Sequence, residues 1–155
     1  MKTKAQWGAL VILIAVFSQT CKKSASPVET VETLQCAVNS VAGKQHEIRG
    51  KWKLVSYRTV FYNPTTTDYS CNQIIYEFKQ GGRLVVSSDV VEPNGYPAGD
   101  YSYEFNQQAA SGGNPAHYTL RVGEHSEWPA TVGSSEMILS QAYLDGPVMR
   151  FIRIK

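Results

Sequence analysis

The spacing of apolar side chains along this chain changes character at Gly50. Beyond it, hydrophobic and aromatic positions recur every second residue. Ile74, Tyr76 and Phe78 fall on one face, as do Tyr101, Tyr103 and Phe105, and again Tyr118, Leu120 and Val122. A period of two marks strands with one buried side. Residues 51–62 are rich in β-formers, and 84–91 supply a partner to 74–78 across a tight Gln80-Gly81-Gly82 turn. Loops are marked by Pro93-Asn94-Gly95, Pro97-Ala98-Gly99 and Ser111-Gly112-Gly113-Asn114-Pro115. A short strand over 128–132 contains Pro129, which assigns it to an edge or a bulge. Residues 137–141 and 148–154 close the chain around an Asp145-Gly146-Pro147 turn. About eight short strands with regular turn signals predict an all-β fold. Sequential hairpins favour an antiparallel up-and-down barrel. About eight strands enclose room for packed side chains or one small ligand, and closure removes exposed edges.

Before Gly50 the period is helical. Val28, Val31, Leu34 and Val38 recur at three- and four-residue spacing. Ser26 is placed to cap, Pro27 to take the first helical position and Glu29 to complete a capping box, with Gly43 as the stop. This predicts a short N-terminal helix docked on the barrel, since such a helix would not persist alone in water. A flexible spacer is the alternative. Further upstream, Lys2 and Lys4 precede an unbroken apolar run over 9–17, then Ser18-Gln19-Thr20 and Cys21. A basic start, a short apolar run and a small-residue stretch make a secretory signal peptide. The run is shorter than the roughly 20 residues a membrane-spanning helix needs. The expected organisation is a signal peptide over 1–20, a tether over 21–49 and a barrel domain over 50–155.

Charge narrows the function. The chain carries 15 basic and 13 acidic side chains. Lys2 and Lys4 lie in the leader and no acid does, so the mature part holds 13 of each. That balance argues against a nucleic-acid partner, which would require a basic stripe. With Cys21 set aside, Cys36 and Cys71 form an even pair in an oxidising compartment. A disulfide is one reading and two buried thiols the other. A metal site is not expected, because no CxxC or histidine cluster accompanies them.

Cys21 at the end of the leader looks like the lipid-attachment site of a bacterial lipoprotein, and Cys21-Lys22-Lys23-Ser24 resembles lipoproteins of the Bacteroidetes. Cleavage without lipid, or a retained anchor, is the alternative. Gly50-Lys51-Trp52 opens the first strand, and Met149-Arg150-Phe151-Ile152-Arg153 lies in the last. This pairing resembles the lipocalin and wider calycin arrangement. Ser70-Cys71-Asn72-Gln73 and Phe78-Lys79-Gln80-Gly81-Gly82 are similar to lipocalin-like lipoprotein domains of the same bacteria. The resemblance covers roughly residues 47–155. It implies a barrel-closing pair in which an arginine lies across Trp52. Arg153 is the first choice and Arg150 the second. It also implies a membrane partner through the N-terminal lipid, in a bacterial envelope. The Lys22-Lys23-Ser24 continuation, without acids, points to a periplasm-facing anchor.

Catalytic chemistry has little to stand on. His46, His117 and His125 are not spaced like metal ligands, and Glu124-His125-Ser126-Glu127 reads as a solvated turn. No nucleophile elbow is present, and neither Gly81-Gly82 nor Gly112-Gly113 has the context of a phosphate cradle. No catalytic residue, cofactor or metal is assigned. The aromatics Tyr76, Phe78, Tyr101, Tyr103, Phe105 and Tyr118 are expected inside the barrel. They form either an ordinary core or a pocket whose hydroxyls orient a ligand. Two classes stay open: a binding module for a small hydrophobic ligand, and a protein-interaction or inhibitor module with a packed barrel. The second would act through the loops at 62–69 or 92–101.

Overall fold

A computed structural model describes residues 33–61, 63–110, 116–124 and 126–155. The signal peptide, Cys21 and the start of the expected helix lie outside them, as do the 111–115 loop and His125. The strands are β1 (Gly50–Arg58), β2 (Thr66–Asp68), β3 (Ile75–Lys79), β4 (Arg83–Ser87), β5 (Gly99–Gln108), β6 (His117–Val122), β7 (Ser126–Val132), β8 (Glu136–Ser140) and β9 (Val148–Ile154). From β3 to β9 each strand pairs antiparallel with the next, and β1 pairs with both β3 and β9. The result is a closed eight-stranded barrel of the expected class. The short β2 is additional and pairs with β1 over residues 56–58.

The period-two pattern places the core. Trp52 and Leu54 from β1, Tyr76 and Phe78 from β3, and Phe151 from β9 are at most 2 % exposed. The β3–β4 hairpin turns where Gly81 and Gly82 adopt φ of 79° and 73°, a left-handed backbone that favours glycine. Connections alternate between the two ends of the barrel. The β3–β4, β5–β6 and β7–β8 turns share one end with the start of β1. The β1–β2, β4–β5, β6–β7 and β8–β9 connections share the other, which we call the loop end.

Three expectations need correction. Residues 33–43 contain no helix. Their backbone donors go to the barrel instead: Gln35 N–H to Asp68 Oδ2, Cys36 N–H to Ser70 Oγ, Val41 N–H to Arg153 O and Gly43 N–H to Ser134 O. A helix would have to spend those donors internally. β7 is longer than expected and lies between β6 and β8. Its register with β8 begins only at Ala130, so Pro129 sits opposite Thr119 of β6 where the ladder to β8 has not started. The first strand ends at Arg58, and part of the segment expected to be a loop returns as β2.

Candidate binding site at the strap end

Buried side chains form a continuous core, and tyrosine hydroxyls within and beside it bond to the protein's own groups. The buried Tyr76 hydroxyl accepts the Tyr96 N–H at 2.9 Å. Burial pushes this phenol well above its ordinary pKa, so it stays neutral. Tyr69 Oη accepts from Asn94 N–H at 3.1 Å and Asn94 Nδ2 at 3.0 Å. Tyr96 donates its hydroxyl to Ser126 Oγ and accepts Trp128 Nε1–H at 2.7 Å. The 88–98 connection is thus tied across the loop end by phenols.

At the opposite end residues 41–49 form a strap. His46 N–H reaches Val132 O at 3.0 Å, and Trp52 Nε1–H reaches Ile48 O at 2.7 Å. Arg153 fastens it. Its guanidinium carbon lies 4.1 Å from the Trp52 ring centroid. Nη1 donates to Arg49 O at 2.8 Å and Nη2 to Glu47 O. Burial pulls its pKa down, and the nearby Glu47 opposes that shift. Gly43 runs directly over this group: a Cβ there would lie 2.6 Å from Arg153 Cζ. Arg150, the second choice for this role, instead bonds Glu136.

An open cleft of about 560 Å³ lies between strap residues 44–49 and Gly82, Tyr103 and Phe105. The Phe105 and Tyr118 rings stack at 5.1 Å, and His46 stacks on Tyr118 at 4.9 Å. His46 has φ of 62°. Tyr103 Oη donates to Lys79 O at 3.0 Å. Burial raises its pKa, with Arg49 opposing. On the rim, Arg49 Nη2 pairs with Glu47 Oε1 at 2.6 Å.

The six aromatics singled out from the sequence therefore do not occupy one environment. Tyr76 and Phe78 are core, while Tyr101, Tyr103, Phe105 and Tyr118 are half-buried and pack against it. Tyr101 lies at the loop end, donating to Pro97 O at 2.9 Å. Tyr103 and Phe105 line the cleft, with Tyr118 behind Phe105. Cys36 and Cys71 are disulfide-bonded, with Sγ atoms 2.03 Å apart. Lys44, His46, Glu47 and Arg49 were not singled out for a site. They sit in a stretch read as tether, where no motif or period distinguishes them. Among the described residues no group of three or more His, Cys, Asp or Glu side chains could hold a metal. The chain matches no family model, no curated protein and no solved structure.

Proposed function

We propose that this protein is a non-catalytic, lipid-anchored binding protein of the bacterial envelope, with a lipocalin-like barrel that carries a small hydrophobic ligand in the strap-end cleft. One observation carries the placement. Tyr76 and Phe78 are enclosed in the core, whereas the rings of Tyr103 and Phe105 border an open space. A volume of 560 Å³ lies within the usual range for small-molecule sites, about 300–1,000 Å³. The leader ending in Cys21 supports the anchor, and the cation–π closure of Trp52 by Arg153 supports the lipocalin-like reading.

The test is native mass spectrometry on protein expressed with its leader and extracted from envelopes in mild detergent. Extra mass that organic solvent removes, and that falls in a Phe105→Leu variant, is the expected result. A mass equal to the acylated chain alone, unchanged after incubation with envelope lipid extract, would reject a ligand carrier. Cys21→Ser should release the protein from the membrane fraction; retention would reject the lipid anchor.

A second reading has its own support. Phe61, Val91, Tyr143 and Leu144 are between 55 % and 96 % exposed, and all four lie on loop-end connections. Register brings two of those connections together, because Arg58 pairs with both Val148 and Thr66. Clustered exposed apolar side chains suit a protein partner, so a periplasmic interaction or inhibitor module acting through this end is the alternative.

A further inference from the structure

We infer that the strap-end cleft takes a small organic anion with a flat apolar body, such as an aromatic carboxylate. This rests on the ligand-carrier reading above and names the ligand class for the same cleft. Charge is the first argument. Lys44 and Arg49 line the cleft, and Glu47 is the one carboxylate among its lining residues. Arg49 turns both Nε and Nη2 to the same Glu47 oxygen, and a guanidinium has donors beyond those two. Behind the strap, Arg153 is 7 % exposed. Its Nη1 and Nη2 go to uncharged carbonyls, and Nε has no hydrogen-bond partner. Two of the cleft's lining side chains are thus cationic against one anionic, with the buried Arg153 behind the strap.

Shape is the second argument. The His46 and Phe105 rings lie within 18° and 9° of the Tyr118 plane, and both line the cleft. Such rings accept another flat apolar body by offset stacking. A neutral ligand there would partly desolvate Lys44 and Arg49 without giving them an acceptor. A bare inorganic anion would leave the rings uncovered. A planar anion satisfies both sets of groups.

Equilibrium dialysis of the envelope-extracted protein against naphthoate and naphthylmethanol separates the two arguments. Naphthoate should bind about tenfold more tightly, the increment of charge-assisted hydrogen bonding at a half-exposed site. Lys44→Gln combined with Arg49→Gln should erase the preference, and raised salt should weaken it. Phe105→Leu should weaken both probes by a similar factor. Lys44 and Arg49 are exposed, so their variants should keep the parent melting profile. Equal affinity for the two probes, both lost on Phe105→Leu, would overturn the anion inference and leave the ligand carrier standing. A naphthoate preference that survives the double variant would also overturn it, because the anion would then be held elsewhere. Failure to bind either probe, with no removable mass in native spectrometry, would sink the inference and the carrier reading together.

Discussion

At the strap end, one buried cation reaches two backbone carbonyls of residues 47–49 and stacks on Trp52. At the loop end, the phenols of Tyr69 and Tyr76 accept from the backbone of residues 94–96. Both lids are held by core side chains gripping lid backbone, yet the two grips leave different surfaces. Beside the charged grip lies an open cleft lined by Lys44, Glu47 and Arg49. The phenolic grip goes with close packing of the lid. Gly95 runs so close to the core that a Cβ would lie 2.8 Å from Tyr76 Oη. The lesson is that the barrel wall is common scaffold and the lids decide where an open cleft forms.

The largest effect on this contrast should come from the disulfide, which pins the chain leading into the strap to the β2–β3 connection. Cys36 and Cys71 are 35 residues apart. Chain-entropy arguments assign a loop of that length about 4 kcal/mol. A Cys36→Ser, Cys71→Ser variant should lose close to that in urea unfolding, with the strap end opening first in hydrogen exchange.

Next is Arg153→Met, which keeps much of the volume but leaves two strap carbonyls without their donor. Hydrogen bonds from charged groups are worth about 1.5–3 kcal/mol each, and the apolar replacement recovers part of the desolvation. A net loss of about 3 kcal/mol is expected. Exchange protection should fall at His46 and be retained at Tyr96. Equal loss at both ends would erase the distinction between the lids.

Gly95→Ala probes the other end. With φ of 100° and Tyr76 Oη and Met149 Sδ within 3.0 Å of the new methyl, backbone strain and overlap should cost about 2 kcal/mol. Gly81→Ala, at φ of 79° with nothing within 4 Å, isolates the backbone part and should cost about 1 kcal/mol. Matching losses in thermal melts would mean that the loop-end lid is not tightly seated.

The smallest effect is electrostatic. Burial works to raise the Asp68 pKa, but hydrogen bonds from Ser70 and from the Gln35 N–H outweigh it and hold the carboxyl below its usual value. Its contribution is fully present above the unfolded carboxylate pKa, near 4, and fades as pH falls through the lower folded value. Acid titration should therefore loosen residues 35–36 below about pH 4, and Asp68→Asn should remove that step from amide chemical shifts.

The strands were legible because their signal is local. Alternation at Ile74, Tyr76 and Phe78 needs only the period of an extended chain, and Gln80-Gly81-Gly82 marks its own turn. The helix expected around Leu34 and Val38 failed because an apolar stripe does not say what will receive the backbone donors. Here Asp68, Ser70 and Arg153 receive them. The aromatic set was half legible. Alternation located Tyr103 and Phe105 on one face with Tyr101, but could not tell that the first two would line a cleft and the third would turn to the loop end.

By itself, then, the sequence determined an all-β chain, its hairpins and its even pair of cysteines. It determined these because each depends on neighbours within a few residues or on composition. Only the tertiary structure decided which end of the barrel carries the cleft beside the strap. That depends on Arg153 meeting Arg49 across 104 residues and Glu47 across 106. Contacts between residues so far apart leave no periodic trace in a single chain, because closing the barrel is what brings them together.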